Sequence, residues 1–170
     1  MINKSILLIL PVLDFNEQEY LTIYAFLIKN GFRVFIASDA HTICVGKNGL
    51  KVKNDISFFN MREANFAGII IIGGKGVKNY WDNSTLHNLV KKFLSAKKII
   101  GAICSAPVIL AKAGILIGLN AVCFPEDRKE LEREGALYTD SSVVVSKKII
   151  TAKDASSSQE FAAAFINGLN

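Results

Sequence analysis

Short apolar runs alternate along this chain with stretches of helical periodicity. Ser5–Val12 reads as a buried strand, and Glu17–Asn30 as a helix with Leu21, Tyr24, Ala25, Leu27 and Ile28 turned inward and Gly31 at its C-cap. Phe32–Ser38 is a second strand. Val45–Val52 carries a Gly-Lys-Asn-Gly turn between extended pieces, the pattern of a small hairpin. Ser57–Asn65 reads as a weak helix or helical turn. Gly68–Ile72 is a third main strand that runs into Gly73-Gly74-Lys75-Gly76. Ser84 reads as the N-cap of a helix over Thr85–Ser95. The strand Lys98–Ile103 and a helix ending at Gly114 follow, then a short strand Ala121–Phe124 and a charged helix Glu126–Glu134. A hairpin over Ser142–Ser146 and Ile149–Ala152 and a closing helix Ser157–Leu169 complete the order.

Continuous apolar strands that alternate with helices imply an α/β fold, with a mainly parallel sheet covered by helices on both faces. Ligands in such sheets sit beyond the carboxyl ends of the strands. Gly73-Gly74, Cys104 and the Leu13–Glu19 loop all follow strand ends, so they should meet at one edge.

The 170 residues suit one domain over 1–170, and a hydrophobic share of 51% makes disorder an unsuitable reading. No apolar run reaches the roughly 18 residues that a membrane span needs. The first thirteen residues have one lysine and no small-residue cleavage site before Asp14, so they read as a strand and not a signal peptide. Three cysteines without Cys-x-x-Cys spacing disfavour a disulfide framework or a metal site and suit a reducing cytoplasm. The net charge of +5 comes from scattered lysine pairs, a solvated surface and not a nucleic-acid footprint.

Cys104 ends the apolar run Ile99–Ile103 and precedes a helical pattern, with Ala102, Ser105 and Ala106 as small neighbours. A residue on a sharp strand-to-helix turn presents its side chain to a pocket beside the N–H groups of the new helix. This is the geometry of a nucleophile elbow, with sulfur in place of the usual oxygen. A helix N-terminus would lower the thiol pKa. Gly73-Gly74 lets backbone N–H groups approach a ligand and, with the Ser105 N–H, build an oxyanion hole. Gly-Gly-Lys-Gly lacks the frame of a phosphate-binding P-loop. Glu17 and Glu19 open the first helix, where dipole compensation explains both, and spacing assigns neither to a site. Only His41 and His87 are present, and neither follows a strand end next to Cys104, so a Cys–His pair within one chain is not expected. A base from a partner subunit remains the alternative. Cys44 and Cys123 read as structural, and Tyr80 and Trp81 as loop packing.

The segment Ala-Ile-Cys-Ser-Ala-Pro-Val-Ile-Leu-Ala-Lys-Ala-Gly-Ile-Leu around Cys104 resembles the elbow of the ThiJ/PfpI family. Phe15–Glu19, Gly31–Ser38, Gly46–Val52, Ile71–Gly74 and Glu134–Asp140 are similar to further segments of that family, so the likeness spans nearly the whole chain. It implies a flavodoxin-like three-layer sandwich that needs no cofactor and pairs as a homodimer. It carries a cysteine-bonded glutamate over to Glu19. Cys104 would be the nucleophile, Glu19 its tuning and proton-shuttling group, and the N–H groups of Gly74 and Ser105 the oxyanion site. Lys75 and Phe124 would line the pocket.

Departures from the family pattern narrow the chemistry. The protease-like branch has histidine directly after the cysteine, where Ser105 stands, and a glutamate in the glycine loop, where Val77-Lys78 stands. Phe124 takes the place of a histidine in another branch, and Lys153 that of an arginine. The implied reaction is addition to a small reactive carbonyl such as methylglyoxal, as in a glyoxalase or deglycase of stress protection. A redox sensor or stress chaperone that acts by oxidation of Cys104 is the alternative, and a cysteine peptidase or amidase a third.

Overall fold

The computed structural model describes residues 4–39 and 43–169. His41 lies outside the described residues. In chain order, β1 (Ser5–Ile9) leads through β2 (Leu13–Phe15) into α1 (Glu17–Lys29) and β3 (Arg33–Ser38). The hairpin β4 (Ile43–Gly46) and β5 (Lys51–Lys53) precedes β6 (Ile56–Ser57), two single 3₁₀ turns and β7 (Gly68–Ile71). Next come α2 (Ser84–Ser95), β8 (Ile99–Ile103), α3 (Pro107–Lys112), β9 (Asn120–Ala121) and α4 (Arg128–Arg133). The chain closes with β10 (Leu137–Tyr138), β11 (Val143–Ser146), β12 (Ile149–Ala152) and α5 (Ser158–Leu169).

Seven strands form the main sheet in the order β11-β12-β8-β7-β1-β3-β6, parallel except for the β11–β12 hairpin. Successive side chains of a strand point to opposite faces, so each central strand feeds two cores. Leu7, Ile69, Ile71 and Ile100 pack with Leu86, Val90 and Phe93 of α2, Leu110 of α3 and Leu131 of α4. Ile6, Leu8, Ile70 and Ile103 pack with Ile23 and Leu27 of α1 and Phe161 and Phe165 of α5. The result is the expected α/β three-layer sandwich. No helix among the described residues is long and apolar enough to cross a membrane.

Four local expectations need correction. The first strand ends at Ile9, and Leu13–Phe15 pairs with β4 in a separate small sheet, after Pro11, which has no N–H for a ladder. The N-cap of α2 is Asn83, whose side chain accepts from the Leu86 N–H at 2.9 Å, and not Ser84. The proposed strand Ala121–Phe124 is extended only over Asn120–Ala121, because the next N–H groups are used elsewhere: Val122 donates to Thr151 Oγ1 at 3.0 Å and Phe124 to the Cys104 carbonyl at 2.7 Å. Finally, α1 is turned differently about its axis. It buries Glu19, Tyr20, Ile23 and Leu27, while Leu21 is 51% and Ile28 45% exposed. Both apolar stripes have helical spacing, and the inward one is the stripe that carries Glu19 toward the end of the sheet.

Candidate active site

The carboxyl ends of β1, β7 and β8 meet the start of α1. Asn16 caps α1, accepting from the Glu19 N–H at 3.2 Å, and its own N–H donates to the Gly73 carbonyl at 3.0 Å. The Gly73 N–H returns the contact by donating to Glu19 Oε2 at 2.8 Å. The first turn of the helix and the end of β7 therefore hold each other. Residue 73 must be bare for this. A Cβ there would lie 2.6 Å from Cys104 Cβ, 2.7 Å from the Ile103 carbonyl and 2.8 Å from Glu19 Oε2. Gly73→Ala should cost roughly 1–3 kcal/mol by overpacking. In a protein of this size that is a fall of several degrees in melting temperature, and an unchanged melting curve would refute the close approach.

Cys104 follows β8 with φ +63°, left-handed backbone that a side chain rarely adopts. Two main-chain bonds pin it there: its N–H donates to the Ala152 carbonyl at 3.0 Å, and its carbonyl accepts from Phe124 at 2.7 Å. Held backbone strain at such a residue is a mark of functional turns. The sulfur faces the Gly74 N–H and the Glu19 carboxyl. Glu19 is completely buried, and its Oε1 has no hydrogen-bond partner of ordinary geometry.

Burial pushes the Glu19 pKa up to about 7, against the opposing Gly73 N–H and helped by the charge of Asp154. The thiol does not follow the expectation of a lowered pKa. Burial, reinforced by the adjacent Glu19 charge, pushes Cys104 up to about 12, and the Gly74 N–H offsets this only in part. Burial and the neighbouring Glu19 charge outweigh the lowering expected from the following helix, which starts only at Pro107. Two negative charges are not held side by side in so dry a place. The pair shares one, so with Glu19 ionised Cys104 keeps its proton.

A cavity of about 560 Å³ opens over the sulfur, lined by Cys104, Ser105, Gly74, Lys75, Phe124, Asp14, Asn16, Lys47, Lys78 and Glu126. Lys75 and Phe124 are among the residues that line it. Gly73 needs correction: its N–H is committed to Glu19, which leaves Gly74 and Ser105 as the candidate oxyanion donors. Glu17 is separated from the site. It accepts the Asn48 and Leu50 N–H groups at 2.7 and 2.9 Å, bonds that lower its pKa, and pins the hairpin turn that brings Lys47 to the cavity mouth. His87 sits on α2, its Nε2 2.7 Å from the Trp81 carbonyl, and does not line the cavity. Cys44 and Cys123 are both buried, and Cys123 lies in the core on the opposite face of the sheet from Cys104.

Asp127 was missed by sequence reasoning. It is 3% exposed and accepts from Ser105 Oγ at 2.6 Å and from Lys78 Nζ at 2.5 Å. Its position, two residues after Pro125 at the start of a charged helix, reads as ordinary dipole compensation, and no spacing ties it to Cys104.

Comparisons with known proteins agree with the fold. A sequence model described as the DJ-1/PfpI family matches residues 4–168. The chain is 38% identical over 154 residues to an uncharacterized protein of Methanocaldococcus jannaschii, covering 89% of this chain and 75% of that one. It is 28% identical to a glutathione-independent glyoxalase of Caenorhabditis elegans, covering 98% and 89% of the two chains. Among solved structures, a ThiJ/PfpI domain protein from Brachyspira murdochii superposes with a TM-score of 0.96 at 30% identity, covering 98% of this chain and 96% of that one.

Proposed function

Because this chain belongs to the DJ-1/PfpI family, we propose that it is a cysteine-dependent enzyme that converts small 2-oxoaldehydes such as methylglyoxal to 2-hydroxy acids without a cofactor. The observation that carries the reading is the buried pair of Cys104 and Glu19, whose carboxyl ionises near the pH at which it must both take and give a proton.

The steps follow from the proton inventory. Ionised Glu19 takes the thiol proton as sulfur bonds to the aldehyde carbon. The carbonyl oxygen, now an alkoxide facing the Gly74 and Ser105 N–H groups, takes that proton back from Glu19 to give a hemithioacetal, which leaves Glu19 ionised again. Glu19 then moves a proton from the aldehyde carbon to the neighbouring carbonyl carbon, by way of the enediol, which leaves a thioester on Cys104. Water cleaves the thioester to lactate and restores the thiol. The sum is methylglyoxal plus water to lactate, with no external oxidant or reductant. Purified reduced protein without glutathione should form one lactate per methylglyoxal consumed. Loss of methylglyoxal without lactate would overturn the assignment.

The cavity lies within the usual range for small-molecule sites and exceeds the needs of a three-carbon dicarbonyl. Adducts of the same carbonyl with an amine therefore form a second substrate class, and release of free amine from such an adduct tests it.

The exposed stripe of Leu21 and Ile28 on α1 supports a homodimer in which two copies cover it. Replacing both by lysine should convert the protein from dimer to monomer in light scattering, and an unchanged mass would place the contact elsewhere.

A further inference from the structure

The two candidate oxyanion donors follow different strands, Gly74 after β7 and Ser105 after β8, and one short stretch of chain ties them together. Gly74 caps the start of the 3₁₀ turn Lys75–Tyr80, and Trp81 caps its end. From this stretch Trp81 Nε1 donates to the Ser105 carbonyl at 2.9 Å, and Lys78 Nζ donates to Asp127 at 2.5 Å. Lys78 Nζ also lies 5.2 Å from the centre of the Trp81 ring, so the two groups reach the elbow side by side. A second 3₁₀ turn, Pro125–Asp127, holds the elbow as well. Its buried Asp127 carboxylate accepts from Ser105 Oγ at 2.6 Å, and the Phe124 N–H just before the turn donates to the Cys104 carbonyl at 2.7 Å.

A trans peptide is planar, with its C=O and N–H on opposite sides. The Phe124 bond to the Cys104 carbonyl therefore aims the N–H of the same peptide unit, that of Ser105, the other way. Among the described residues the Ser105 N–H donates to no main-chain carbonyl, although Ser105 is buried and lines the cavity. A buried N–H needs a partner, and the oxygen of a substrate bound to the sulfur supplies one. We propose that Trp81 and the Lys78–Asp127 ion pair are positioning residues of the oxyanion site, which hold the Ser105 N–H at a fixed place relative to the Gly74 N–H. The inference rests on the reading of those two N–H groups as oxyanion donors and on no particular carbonyl. Neither Trp81 nor Asp127 lines the cavity, so both act through Ser105. Preorganised donors of this kind accelerate only a step that builds negative charge on oxygen.

The test compares two reactions of the same sulfur in the intact protein. p-Nitrophenyl acetate acylates Cys104: sulfur bonds to the acyl carbon, the carbonyl electron pair moves onto oxygen, and p-nitrophenolate leaves as the carbonyl re-forms. Iodoacetamide alkylates Cys104: sulfur displaces iodide from a CH2 group, and no oxyanion develops. Both consume the same thiolate, so the ratio of the two rates cancels any change in thiol ionisation. Release of p-nitrophenolate reads acylation and peptide mass spectrometry reads alkylation, each with the Cys104→Ala background subtracted. Trp81→Phe keeps a ring beside Lys78 and loses the N–H. Asp127→Ala removes the acceptor of Ser105 Oγ. Each should lower the acylation-to-alkylation ratio about tenfold, a part of the roughly 10²–10³-fold that loss of a whole oxyanion donor costs. Any fall beyond twofold in both variants supports the proposal. A ratio within twofold of wild type in either variant, an equal fall of both rates included, overturns it. If Asp127→Ala does not fold, Trp81→Phe alone decides. Neither reagent is a 2-oxoaldehyde, so a failure to form lactate from methylglyoxal would sink the glyoxalase reading and leave this ratio to be judged by itself.

Discussion

Cys104→Ala is expected to lower methylglyoxal turnover by about a thousandfold or more, the scale seen when a covalent nucleophile is lost. No second thiol lines the cavity, since Cys44 and Cys123 are buried elsewhere. Glu19 would keep its proton chemistry but would have no hemithioacetal to act on. The fold should survive. Alanine meets the same left-handed backbone cost at φ +63° as cysteine, and the pinning bonds to Ala152 and from Phe124 are main-chain. The measurement is lactate formation by purified wild-type and variant protein, with matched circular dichroism. A variant that keeps more than a few per cent of the rate would rule out the covalent route.

Glu19→Gln is expected to stabilise the protein at pH 8 while removing most of its activity. A free glutamate ionises near pH 4.5, and Glu19 in the folded protein near 7. Between these values the folded chain holds a proton that the unfolded chain has lost, so stability falls as pH rises through the interval and levels above about 7. The full cost of ionising the buried carboxyl is about 3 kcal/mol. Glutamine keeps a carbonyl oxygen for the Gly73 N–H and never ionises. Its advantage should reach roughly 2–3 kcal/mol at pH 8 and shrink toward zero at pH 5. Turnover should drop about a hundredfold or more, since an amide takes no proton. Urea denaturation at the two pH values reads the gap, and a pH-independent gap would show that Glu19 carries no ionisation cost.

The elbow was legible because it is local. The apolar run Ile99–Ile103, the cysteine and the small Ser105 and Ala106 after it specify strand, turn and helix start without long-range information. The two parallel cores were legible for the same reason, through alternation along each strand. Glu19 was not. Glu17 and Glu19 are two apart in one helical turn, and only the rotation of α1 decides which enters the cleft. That rotation is set by the clasp with Gly73, a contact 54 residues away in the chain. Resemblance to a family supplied the assignment that periodicity could not, and the same periodicity turned Leu21 and Ile28 the wrong way. Asp127 was hidden because a carboxylate becomes legible only beside the serine and lysine that enclose it, and these lie 22 and 49 residues away.

Gly73 and Gly74 give the site an unusual kind of inheritance. One N–H holds the Glu19 carboxyl, and the next faces the sulfur. These parts of the chemistry are written in main chain, which point mutations elsewhere leave in place. The mouth is written in side chains, those of Lys47, Lys75, Phe124 and Glu126. If the proposed function holds, descendants of this protein can exchange the mouth and drift from one carbonyl to another while the Cys104–Glu19 pair stays assembled, and divergence of substrate should be recorded at those four positions before it appears at 73 or 74.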